Sequence, residues 1–110
     1  MNVYDTANKL ASEIKASEEY IQFKEAKKKL ESNSALKAKV DEFEKTRYEV
    51  QVLAMQGKEV EADKNKKLQE MYTILIENKE IKEYFDLEVK FNVMIADVNK
   101  IIAESVQDVL

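Results

Sequence analysis

The chain has 110 residues, with no cysteine, no histidine, no proline and a single glycine, and a formal charge of −4 at neutral pH. Its length points to one domain with a thin core, and the scarcity of turn residues excludes most all-β and α/β architectures. Without Cys or His there is no ordinary zinc, haem or cysteine-ligated iron–sulfur site and neither a thiol nucleophile nor an imidazole base.

Charges of both signs make up 36 % of the residues, which offers no basic field for DNA and argues against RNA. The N-terminus lacks an apolar signal core, and no apolar run approaches the ~18 residues of a membrane span. These features predict a cytoplasmic protein with no membrane partner.

The first predicted helix covers roughly Val3 to Lys15. Val3, Ala7, Leu10 and Ile14 form one stripe, widened by Tyr4 and Ala11, and Asn2 is placed to cap it. A second helix follows over about Glu18 to Glu31, with Ser17 as cap and Tyr20, Phe23, Ala26 and Leu30 on its inner face. Lys27, Lys28 and Lys29 fall in its last turn. There cations suit the carbonyl end of the helix, so the run needs no phosphate ligand to account for it.

The third helix, from about Ser34 to Gln56, organises the rest. Leu36, Val40, Phe43, Val50 and Ala54 make its stripe, and from Tyr48 to Met55 the face broadens to include Val52 and Leu53. A helix apolar on more than one side has more than one neighbour. Asn33 is placed to cap its start, and Gly57 to end it in a left-handed conformation. Arg47 lies on the stripe, as a flank with its charge held out to water or as the partner of a carboxylate on a neighbouring helix.

A link around Lys58 to Glu61 leads to the fourth helix, with Leu68, Met71 and Leu75 inward and Tyr72 and Ile76 beside them. The fifth starts after Asn78 and reaches about Val106. One of its faces carries Ile81, Phe85, Glu88, Asn92, Ile95, Asn99, Ile102 and Val106; a second carries Tyr84, Leu87, Phe91, Met94, Val98 and Ile101. That is more apolar surface than one neighbour covers. Asn92 and Asn99 stand seven residues apart. They are register-setting contacts in a helix seam, or stripe-edge positions facing water.

A shift of 45 residues lays Phe23 on Leu68, Leu30 on Leu75, Asn33 on Asn78 and Val40 on Phe85. Two accounts fit: duplication of a helix–turn–helix unit, or the common look of two amphipathic helices joined at an Asn cap. Glu88 and Asp97 are the carboxylates nearest the apolar faces of helix five. No EF-hand loop or phosphate-cradling glycine loop exists to make more of them.

Four segments in order, Val3-Tyr4-Asp5-Thr6-Ala7-Asn8-Lys9-Leu10, Ser17-Glu18-Glu19-Tyr20, Gln56-Gly57-Lys58 and Asp97-Val98-Asn99-Lys100-Ile101-Ile102, resemble the YlbF/YmcA-like family of small helical bacterial proteins, its YheA branch most closely. The family often has proline after the Asp or Asn at two inner helix starts. Here Asn33-Ser34 and Asn78-Lys79 keep the cap without the proline. The resemblance implies long antiparallel helices that associate as a homodimer or higher oligomer. It also implies an accessory role, since relatives act in competence, sporulation and biofilm control with a complex that modulates an RNA-processing nuclease. Iron–sulfur clusters bound by some relatives have no counterpart in a chain without cysteine.

The expected molecule is a single all-α domain over residues 1–110, about five helices in long antiparallel hairpins that form a self-associating bundle. It is expected to work by binding protein, namely itself or another helical protein, with no catalytic residue, cofactor or metal. The residues expected at the self-association surface are Tyr48, Val52, Met55, Phe91, Met94, Ile95 and Val98, with Asn92 and Asn99 as register-setting positions and Asn33, Gly57 and Asn78 at helix termini. The alternatives from other classes are a carboxylate-based enzyme or metal-binding bundle, and an RNA-binding accessory protein.

Overall fold

The computed structural model describes residues 2–58 and 62–110. Among the described residues there are five helices and no strand: α1 (Val3–Ala16), α2 (Glu18–Glu31), α3 (Ser34–Met55), α4 (Ala62–Leu75) and α5 (Lys79–Ser105). The predicted link at Lys58 to Glu61 lies, from 59 to 61, outside the described residues.

One device starts four of these helices. The Asn2 side-chain oxygen accepts from the Asp5 N–H at 2.9 Å, Ser17 Oγ from Tyr20 at 3.2 Å, Asn33 from Leu36 at 3.2 Å and Asn78 from Ile81 at 3.2 Å. Each satisfies one of the orphan donors of a first turn. Ser17 also donates its hydroxyl to the Ile14 carbonyl at 2.6 Å, so a single residue closes α1 and opens α2.

The end of α3 uses its glycine. The Gly57 N–H donates to the Ala54 carbonyl and the Lys58 N–H to the Leu53 carbonyl, both at 3.1 Å, and Gly57 has φ +72°. This pairing of bonds is the Schellman termination. A Cβ at Gly57 would meet nothing within 4 Å, so only the backbone resists a larger residue. On the exposed side of the same helix, Lys37 donates to Asp41 at 3.0 Å, one turn on. That hydrogen bond raises the lysine above its ordinary pKa.

The chain divides into two units, Lys28–Glu83 and Met1–Lys27 with Tyr84–Leu110. In the first, α3 packs on α4, and Leu30, Val40, Phe43, Leu75 and Ile81 are buried. The Phe43 ring sits 5.9 Å from the Tyr72 ring, with the Arg47 guanidinium 5.5 Å over its face. Arg47 is half-buried, so the arginine on the stripe lies along an aromatic ring of its own helix.

In the second unit α2 meets α5 through aromatic rings. Phe23 lies 5.5 Å from both Tyr84 and Phe91, and Tyr20 lies 6.2 Å from Phe91. Tyr20 meets the later α5 residue and Phe23 reaches the earlier one, so the two helices run antiparallel. Tyr84 and Phe85 are the buried residues here; α1 has none, and from Leu87 onward α5 has none.

Gly57→Ala should lower stability by about 1 kcal/mol through left-handed strain alone, and Gly57→Asn by less, because asparagine tolerates that region. Urea midpoints compare them; equal midpoints for wild type and the alanine variant would remove the glycine cap from the account. Ile81, at 1 % exposure, should cost about 2–5 kcal/mol on truncation to alanine, read in the same titration.

Candidate functional site

Among the described residues, no three Asp or Glu stand close enough to cage a metal ion. Glu88 is half-buried and Asp97 exposed, on the same helix but not in one cluster. What each unit does present is apolar side chain directed at water.

In the second unit this surface has two parts. α1 is an amphipathic helix whose stripe is largely uncovered: Val3, Tyr4, Ala7 and Ala11 are exposed, and Leu10 and Ile14 only half-buried. An isolated helix of 14 residues is marginal in water, and α1 has only the partial cover of Leu10 and Ile14 to hold it. The other part is the outer side of α5. An open groove there is lined by Val89, Val93, Met94, Val98 and Ile101, with Lys90 and Asp97 along it and Glu19 of α2 on its rim. Val89 is 60 % exposed, Val93 53 % and Ile101 68 %.

The residues expected at a self-association surface fall into different situations. Phe91 is half-buried between Tyr20 and Phe23, so its ring serves the chain's own packing. Met94, Ile95 and Val98 are half-buried, and Met94 and Val98 line the groove. In the other unit, Tyr48 and Met55 stand exposed on α3, Met55 at 86 %, while Val52 is half-buried. Asn92 and Asn99 are both exposed on α5, on the side away from the groove. Asn33 and Asn78 cap α3 and α5, and Gly57 ends α3, as described above.

Val89 and Val93 belong to neither of the two apolar faces assigned from sequence. They lie one turn apart beside Lys90 and Asp97, and a charged stripe masks two valines in a count of helical period. The spacing of four was the signal that marked them.

No helix of the described residues is long and apolar enough to cross a membrane. Comparison with known proteins places the fold and the sequence together. A solved protein of unknown function (DUF964) from Bacillus stearothermophilus superposes with a TM-score of 0.84 over 96 % of this chain and 93 % of that one, at 19 % identity, which speaks to fold alone. A UPF0342 protein of Caldicellulosiruptor bescii is 39 % identical over 106 residues, 96 % of this chain and 89 % of the relative. Another from Caldicellulosiruptor saccharolyticus is 41 % identical over 105 residues, covering 96 % and 88 %. Residues 3–107 match the family described as control of competence regulator ComK, YlbF/YmcA, and the chain belongs to that family.

Proposed function

We propose that this protein is a non-enzymatic accessory protein that acts by contact with other protein chains, and that the first of these contacts is with a second copy of itself. The observation that carries the reading is the open apolar surface of the second unit, where α1 and the distal part of α5 contribute no buried residue. Exposed apolar patches beyond a few hundred Å² are uncommon on monomeric proteins and mark surfaces that another molecule covers. A twofold pairing lays one patch on its own copy and covers both at once.

The family description supports a regulatory setting, since it names the control of a competence regulator. Control of this kind needs a shaped surface and no bond chemistry. The exposed α3 residues Tyr48 and Met55 then serve as a second surface, on the other unit, for a further helical protein.

Sedimentation at micromolar protein should give twice the 12.8 kDa of the chain or a higher multiple. Val93→Glu adds a charge at a position already half in water, so it spares the single chain, yet in a dry seam it should weaken association by about 3 kcal/mol or more. A wild-type monomer with full helicity would overturn the reading.

A further inference from the structure

The groove on α5 carries its own complement. Lys90 and Asp97 are seven residues apart, two helical turns, and so lie on nearly the same line of the helix about 10 Å from one another. Among the described residues neither has an ion-pair partner. We propose that this groove is occupied by the same groove of a second copy, with the two α5 helices antiparallel about a twofold axis between Val93 and Met94.

That axis lies midway between Lys90 and Asp97. It brings Lys90 of each copy opposite Asp97 of the other, forming two ion pairs. It also sets Val93 close to Met94 of the second copy, while Val89 and Val98, half a helical circumference apart, flank the seam on opposite sides. The segment from Val89 to Val98 thus reads apolar, cation, apolar, apolar, anion, apolar at its groove positions, and an antiparallel copy presents the matching order. A parallel copy would set Lys90 against Lys90 and Asp97 against Asp97, so the charges select one orientation over the other. The valines and Met94 supply the attraction, at helix separations of about 8–10 Å, and the charge pairs supply register. Glu19 stays on the rim, where water reaches it.

This seam rests on the self-association proposed above, and charge reversal separates the two ideas. Lys90→Glu places like charges at both pairs and should raise the dissociation constant about tenfold or more, as should Asp97→Lys. The double variant, Lys90→Glu with Asp97→Lys, restores opposite charges and should return the constant to near the wild-type value. Sedimentation reads association, and circular dichroism checks that each variant keeps its helices. A wild-type dimer indifferent to all three variants would overturn the seam and leave self-association standing. A double variant as weak as the singles would also overturn it. A monomeric wild type, whatever other protein it captured, would overturn both.

Discussion

The contact on which the second unit depends is the wedge of Phe91 between Tyr20 and Phe23. Aromatic rings bring large apolar areas together in few residues, and here they hold α2 antiparallel to α5. They also fix which side of α5 is spent within the chain. With Phe91 and Tyr84 turned to α2, Val89, Val93 and Ile101 stay exposed on α5, in a groove that α2 lines only through Glu19. The ring cluster also marks how far α2 reaches. The helix begins at Glu18, two residues before the ring that meets Phe91, so α2 has little left to lay along the rest of α5.

The open surface follows from this shortage. Burying one large apolar side chain gains roughly 1.5–3 kcal/mol, while fixing each residue's backbone costs about 1–2 kcal/mol. The unit that holds α1 and most of α5 has Tyr84 and Phe85 as its buried residues, and its other apolar side chains are only half-buried or exposed. The unit of α3 and α4 has a fuller core in Leu30, Val40, Phe43, Leu75 and Ile81. The two units are therefore not equally self-sufficient, and the deficit coincides with the apolar groove.

Much of the architecture was legible because the local signals agree. Asn2, Ser17, Asn33 and Asn78 each stand just before an amphipathic run, and each makes the capping bond that such a position allows. The lone glycine ends α3 because no other residue nearby takes positive φ at so little cost. Less legible was the use made of α5. Period assigns a residue to a side of a helix but does not say how far a neighbour extends along it. Ile81, Tyr84 and Phe85 are buried near the start of α5, whereas Ile101 and Ile102, on the same two faces, are exposed. Phe91, expected at a self-association surface, also packs on Tyr20 and Phe23 within the chain, which its period alone does not show, and the charges beside Val89 and Val93 mask their apolar spacing.

If a second copy holds α1 and the distal part of α5, the order of both depends on protein concentration. Hydrogen exchange of backbone amides at high and at low micromolar protein compares the two units in one sample. Protection in α1 and in α5 beyond Val89 should fall on dilution, while α3 and α4 keep theirs. Protection in α1 and α5 that is the same at every concentration, in a chain shown to be monomeric, would contradict it.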